Sequence, residues 1–121
     1  MKKHKILYIE DRSEDLFSFQ KLAEKDKYIE CHTSDCIHKV DVAILPVYSV
    51  IISDLCLNNF NQEESIGYWN RNKPLDSVLI AYTGSQTDLA IHPFDHIINK
   101  DHLDPEYLLE NIIKIHLRLI K

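Results

Sequence analysis

The sequence predicts a single α/β domain built around an open parallel sheet. The chain has 121 residues, a length that fits one domain, and short apolar runs alternate along it with helix-like stretches. Near-continuous apolar runs are typical of strands covered on both faces, and strand–helix–strand alternation favours parallel neighbours. The sequence contains no internal repeat and no linker, so one domain is expected over residues 1–121.

Five apolar runs are predicted to form the strands of this sheet. The runs at 5–9, 50–53 and 77–82 are almost wholly apolar or β-branched, as buried strands are. The run at 28–32 alternates only in part, which is typical of a strand nearer the edge, and the last run, 96–99, is short. All five are expected to belong to one sheet.

Helices are predicted between the strands from capping residues and apolar spacing. The stretch 13–25 has two acidic residues in its first turn, where the helix dipole favours them. The stretch 35–45 has apolar residues on one side, and Pro46 closes it. Asn61 is expected to cap a third helix that has Trp69 on its inward side.

The last third of the chain carries two further helix predictions. Pro93 limits a helix in 85–95 to roughly two turns, so a shortened fourth helix is expected. Asp104 followed by Pro105 is typical of a helix start, and the residues that follow are apolar over more than one face.

Composition and charge exclude several classes of protein. The formal net charge of −5 argues against a domain that binds nucleic acid through bulk electrostatics. No apolar run approaches the roughly 20 residues of a membrane span, and the N-terminus lacks the pattern of a signal peptide. Three cysteines at uneven spacing do not form a disulfide framework, so a reduced, cytoplasmic protein is expected.

The cysteines and histidines raise the alternative of a zinc site. Cys31, His32, Cys36 and His38 lie close in sequence but lack the CxxC spacing of structural zinc sites. Strand alternation would also place Cys31 and His32 on opposite faces. A packed cysteine and solvated histidines are therefore expected.

Polar side chains end four of the five predicted strands. Glu10 and Asp11 follow the first, Asp54 the third, Thr83 the fourth and Lys100 the fifth. Open parallel sheets bind ligands beyond the carboxyl ends of their strands, so these side chains are expected at one rim. Three carboxylates close together repel one another unless a cation joins them, and Mg²⁺ fits because it prefers oxygen ligands.

An aspartate held beside such a cation can act as the nucleophile that forms an aspartyl phosphate. The transfer needs mainly positioning and neutralisation of the phosphoryl oxygens. The cation, the Lys100 ammonium and the Thr83 hydroxyl could each bind one oxygen. The residues of the predicted rim are therefore sufficient for phosphoryl transfer to a carboxylate.

Four segments at these strand ends resemble a known family. They are ILYIED at 6–11, VIISDL at 50–55, AYTG at 81–84 and INK at 98–100. The order of these segments is that of the receiver domains of bacterial two-component response regulators, and their spacing is nearly the same. The chain resembles this family over essentially its whole length. The resemblance implies a flavodoxin-like, doubly wound sheet of five parallel strands in the order 2-1-3-4-5, with helices on both faces.

The resemblance also implies roles for the residues of the rim. Asp54 would accept a phosphoryl group from a histidine kinase or a phosphotransfer protein, with Mg²⁺ as the cofactor. Asp11 and Asp54 would bind Mg²⁺, Glu10 would hold a metal-bound water or reinforce the site, and the backbone carbonyl of Cys56 would be another ligand.

The relay of the signal is where the sequence departs from the family. Thr83 would be the switch hydroxyl that moves toward the phosphoryl group, with Lys100 as its salt-bridge partner. The family usually has proline after this lysine, where Asp101 stands, and an aromatic residue three positions before it, where Ile97 stands. The segment from Thr83 to Lys100 is also shorter than usual. Together these departures leave the phosphorylation site intact but argue against the usual relay of the signal.

The face made by the fourth helix, the fifth strand and the fifth helix is expected to contact a downstream protein or a second copy of the chain. Its apolar candidates are Ile97, Ile112, Ile115 and Leu119. A surface of this kind would act as a standing interface whose affinity changes only modestly on phosphorylation.

The expected function is a phosphorylation-controlled interaction module, not a turnover enzyme. One alternative is a pseudo-receiver that binds its partner without phosphorylation. Another is a small aspartate-dependent phosphatase, which would need an acid two positions after the nucleophile, where Cys56 stands. The chain is expected to be either a stand-alone receiver or a receiver cut from a longer regulator.

Overall fold

The structure of the chain is a computed structural model, and it describes residues 4–55, 61–84, 93–99 and 105–112. The strands are β1 (His4–Ile9), β2 (Ile29–Ser34), β3 (Val50–Ser53), β4 (Val78–Thr83) and β5 (His96–Asn99). They form one sheet in the order β2-β1-β3-β4-β5, and every neighbouring pair is parallel. The predicted sheet and its strand order are confirmed.

The described α-helices are α1 (Ser13–Glu24), α2 (Gln62–Asn72) and α3 (Pro105–Ile112). At the start of α2 the Asn61 side chain accepts a hydrogen bond from the Glu64 backbone N–H at 2.8 Å. The Glu64 carboxylate accepts in turn from the Asn61 backbone N–H at 3.2 Å, which completes a capping box. The predicted Asn61 cap is confirmed, whereas the shortened fourth helix falls largely on residues outside those described.

The single helix predicted over 35–45 is wrong, because this stretch forms two 3₁₀ helices, Ile37–Lys39 and Val42–Val47. Between them the backbone is extended. There the Asp41 carboxylate accepts a hydrogen bond at 2.9 Å from a backbone N–H two residues further on. Such a local turn competes with a continuous helix. Ile44, one of the apolar residues on that side of the predicted helix, is consequently 44% exposed.

Side chains alternate along the strands between two apolar layers, one on each face of the sheet. On one face, the α1 face, Tyr8 packs in a cluster with Phe19 of α1 and Leu108 of α3. On the other, the α2 face, Leu79 packs with Trp69 of α2 and with the 3₁₀ segment. The prediction of helices on both faces is confirmed. Among the residues described, no helix has the length and apolar character needed to cross a membrane.

Candidate functional site

Three carboxylates meet at the carboxyl edge of the sheet. The register of the parallel strands pairs Ile9 with Ser53, so the residues that follow, Glu10 and Asp54, become neighbours. The Asp54 backbone N–H donates to the Ile9 carbonyl at 3.0 Å, which fixes this junction. One oxygen each from Glu10, Asp11 and Asp54 lies within 4.8 Å of the others. These three carboxylates lie together in the structure, as the sequence predicts.

The cluster is largely withdrawn from solvent. Glu10 is fully buried and Asp54 is only 6% exposed, whereas Asp11 is partly exposed. The Asp11 backbone N–H donates to Glu10 Oε2 at 3.0 Å, and the Glu10 N–H donates to the Ser34 carbonyl of β2 at 3.0 Å. Hydrogen bonds of this kind hold the junction in place, and the partly exposed Asp11 gives the cluster a side that faces solvent.

The donor set of this cluster fits a hard divalent cation. Mg²⁺ binds oxygen ligands, keeps several of its waters and uses only one or two carboxylates in many protein sites. Glu10 and Asp54 supply buried carboxylates, and Asp11 lies where a hydrated ion could reach it from solvent. The residues present therefore fit Mg²⁺.

Thr83 ends β4 at the same edge of the sheet. It lies two residues beyond Ala81, which pairs with Ser53, and it pairs with Asn99 of β5. It is 1% exposed. The register therefore brings Thr83 to the rim that carries Asp54, as the sequence predicts.

Two of the predicted site residues, Cys56 and Lys100, lie outside the described residues. Each directly follows a described residue at this rim, Leu55 and Asn99 respectively. Their proposed contacts, to the metal ion through a backbone carbonyl and to the phosphoryl group through an ammonium, remain predictions.

A hydrogen-bond chain from α2, which the sequence does not predict, supports the cluster. The Trp69 indole N–H donates to Ser53 Oγ at 3.2 Å, and Ser53 Oγ donates to the Asp54 carbonyl at 2.9 Å. Ser65 Oγ donates to the Leu55 carbonyl at 3.0 Å. Side chains of α2 thus hold the backbone at Asp54 and Leu55 in place. The spacing of Ser65 and Trp69, four residues apart on the inward side of α2, was the one available signal.

Two of the candidate zinc ligands, Cys31 and His32, lie on opposite sides of β2. The side chain of Cys31 belongs to the α1-face cluster, and burial raises the pKa of its thiol to about 12. His32 points the other way, where its ring nitrogens contact Tyr48 Oη at 2.7 Å and Glu30 Oε2 at 2.6 Å. The predicted opposition of Cys31 and His32 is confirmed.

No family model matches the sequence, and no curated protein matches it either. Solved structures match closely in fold. A CheY-like response regulator receiver domain from Methanospirillum hungatei JF-1 has a TM-score of 0.75 at 20% identity, covering 93% of this chain and 92% of that one. A two-component response regulator from Clostridium difficile has a TM-score of 0.74 at 17% identity, covering 98% and 100%.

The response regulator domain of Thermotoga maritima CheB has a TM-score of 0.68 at 18% identity, covering 93% of this chain and 96% of that one. At these identities the likeness is one of fold. The similarity extends over nearly the full length of each of these structures, and it includes the predicted strand order. The chain has the fold of response regulator receiver domains.

Proposed function

We propose that the protein is a signal receiver that accepts a phosphoryl group on Asp54. The observation that carries this proposal is the cluster of Glu10, Asp11 and Asp54 at the carboxyl edge of a sheet with receiver topology. The donor would be the phosphohistidine of a histidine kinase or of a phosphotransfer protein. The output would be a change in affinity for a downstream protein.

In the proposed transfer, a carboxylate oxygen of Asp54 forms a bond to phosphorus while the phosphorus–nitrogen bond of phosphohistidine breaks. The imidazole leaves and takes up a proton from solvent. Glu10 and Asp11 would hold Mg²⁺ together with Asp54 and the Cys56 carbonyl. When bound, the ion supplies the neutralisation of phosphoryl oxygens that this transfer chiefly requires.

Thr83 and Lys100 complete the proposed site on the side of β4 and β5. The Thr83 hydroxyl would donate to one phosphoryl oxygen, and the Lys100 ammonium would pair with another. A phosphoryl group transferred once to a carboxylate is a signal and not a product that is released, so the role is that of a module and not of a turnover enzyme. Because its kinase donor depends on ATP, the cytoplasm is the proposed compartment.

The proposed downstream surface includes β5. Ile97 is partly buried and packs against the α2-face cluster, while Ile112, Ile115 and Leu119 have no described side chains. A homodimer or partner contact through this face therefore stays a proposal. An aliphatic Ile97 supports the view that phosphorylation shifts a standing contact modestly, by about 1–3 kcal/mol as in typical allosteric coupling.

Intact-mass analysis tests the phosphoacceptor directly. The protein is incubated with Mg²⁺ and acetyl phosphate, and a single phosphoryl adduct is expected that hydroxylamine removes, as it does for acyl phosphates. The adduct should be absent with EDTA and absent in Asp54→Asn. It should persist in Asp76→Asn, which removes one exposed carboxylate elsewhere. An adduct that survives in Asp54→Asn would reject Asp54, and no adduct at all would favour the phosphorylation-independent module.

A further inference from the structure

A tyrosine hydroxyl is buried close to the candidate site, and within the described part of the chain it has no hydrogen-bond partner. Tyr8 in β1 is 0% exposed, and among the residues that the structure describes its hydroxyl contacts no donor or acceptor. Its ring packs edge-on against Phe19 at a centroid distance of 4.7 Å. Phenylalanine would supply the same ring without burying an unpaired polar atom, so the hydroxyl needs an explanation beyond packing.

The register of the sheet places Tyr8 next to the strand ends that carry the carboxylates. Tyr8 belongs to the α1-face cluster, and Glu10 follows it by two residues, just beyond the end of β1. Tyr8 pairs with Ile52 of β3, which belongs to the same cluster, and Asp54 lies two residues beyond Ile52, just past the end of β3. Tyr8 therefore lies in the layer of side chains next to the strand ends that carry both buried carboxylates.

The electrostatic surroundings agree with this placement. Burial raises the pKa of Tyr8, and the negative charge of Glu10 raises it further, followed by smaller contributions from Asp15, Tyr82 and Asp54. A tyrosine hydroxyl is in any case an O–H donor at neutral pH, so it can serve as a hydrogen-bond donor here. A donor next to carboxylates is a favourable arrangement, because carboxylates only accept.

We propose that Tyr8 is a positioning residue for the cation site, with its hydroxyl donating to the Glu10 carboxylate when a divalent cation is bound. This inference rests on the proposed function of the cluster. Carboxylates that ligate a metal ion are commonly held by hydrogen bonds of their own, and loss of such a partner typically weakens metal binding by about 10- to 100-fold. The Asp11 N–H already donates to Glu10 Oε2, and the Tyr8 hydroxyl would add a donor from within β1.

The test compares Mg²⁺ affinity with stability in matched variants. Calorimetric titrations of Mg²⁺ are made on the wild type, on Tyr8→Phe and on Tyr68→Phe, with urea unfolding of each in EDTA. Tyr68 is a buried tyrosine on the α2 face, so its variant controls for loss of a tyrosine hydroxyl elsewhere in the core. Tyr8→Phe should bind Mg²⁺ about tenfold more weakly, with unchanged or higher stability, and Tyr68→Phe should bind it as the wild type does.

Each other result overturns the inference in a recognisable way. A wild type that does not bind Mg²⁺ rejects the cation site itself and Tyr8 with it. A wild type that binds, with Tyr8→Phe within twofold of it, rejects Tyr8 alone. Weaker binding accompanied by lower stability in EDTA, or equal weakening in Tyr68→Phe, would mean that the hydroxyl supports the fold and not the site.

Discussion

Replacing Asp54 with asparagine should stabilise the protein in the absence of divalent cations. Oxygens of Glu10, Asp11 and Asp54 lie within 4.8 Å of one another. Two unit charges at 4.8 Å repel by about 0.9 kcal/mol in water and by about 3.5 kcal/mol at an effective dielectric constant of about 20. Asparagine keeps the size of the side chain and removes two of the three repulsions. Because Glu10 is fully buried, the gain in the free energy of unfolding should reach about 1–3 kcal/mol.

Urea unfolding followed by circular dichroism measures this gain. In EDTA at low ionic strength, Asp54→Asn should have a higher midpoint than the wild type, with an unchanged dependence on denaturant. Asp76→Asn, which removes one exposed carboxylate, should stay within about 0.5 kcal/mol of the wild type. Added Mg²⁺ should reduce the difference, because the ion stabilises the native wild type by mass action. If Asp54→Asn is no more stable than Asp76→Asn in EDTA, mutual repulsion of the cluster is not a significant term.

Three further changes test the helix cap, the support of the loop after β3 and the buried thiol. Asn61→Ala should lower the free energy of unfolding by about 1 kcal/mol, and Asn61→Gly by only a few tenths; equal losses would mean that the capping box contributes little. Ser65→Ala leaves the buried Leu55 carbonyl without its donor and should lower the free energy of unfolding by about 1–3 kcal/mol. Ser18→Ala, on the exposed surface of α1, should leave stability nearly unchanged, and an equally neutral Ser65→Ala would contradict the hydrogen bond. Burial raises the pKa of the Cys31 thiol to about 12, so iodoacetamide at mildly alkaline pH should label Cys36 and spare Cys31 until urea is added. Peptide masses that show both cysteines labelled in the native protein would contradict the burial of Cys31.

The strands were predictable because their apolar patterns coincide with their backbone pairing. The predicted bounds of β3 and β5 are those of the structure. In each case the predicted run covers the residues that pair with a neighbouring strand, and it ends at a polar residue. Strand β2 continues to Ser34, beyond the predicted end. Its last residues, Thr33 and Ser34, are polar and pair with Tyr8 and Ile9 through the backbone alone, so no side-chain pattern marks them.

The error at residues 35–45 has a local cause. Apolar spacing in that stretch suggests a helix, but the pattern does not include the competition between a helix and the side chain of Asp41, which binds the backbone just after it. Pro46 then lies inside the second 3₁₀ helix instead of ending a longer one. A short polar residue within a weak apolar pattern can therefore decide whether the stretch forms one continuous helix or two shorter ones.

The carboxylates of the candidate site were predictable, whereas their support was not. Glu10, Asp11 and Asp54 follow strands, and parallel topology alone brings strand ends together. The contact of Trp69 with Ser53 joins residues 16 apart in sequence and depends on how α2 packs on the sheet. The spacing of Ser65 and Trp69 indicates that both lie on the inward side of α2, but it does not identify their partners, so the network was found only in three dimensions.

The position of Trp69 provides a built-in optical probe. It is the single tryptophan of the chain, it is fully buried, and its indole N–H is joined through Ser53 to the peptide of Asp54. Indole emission depends on the polarity and hydrogen bonding around the ring, so its wavelength and intensity report on the backbone next to the proposed phosphoacceptor. The proposed metal binding and phosphoryl transfer should therefore be observable in real time by intrinsic fluorescence, without an attached dye.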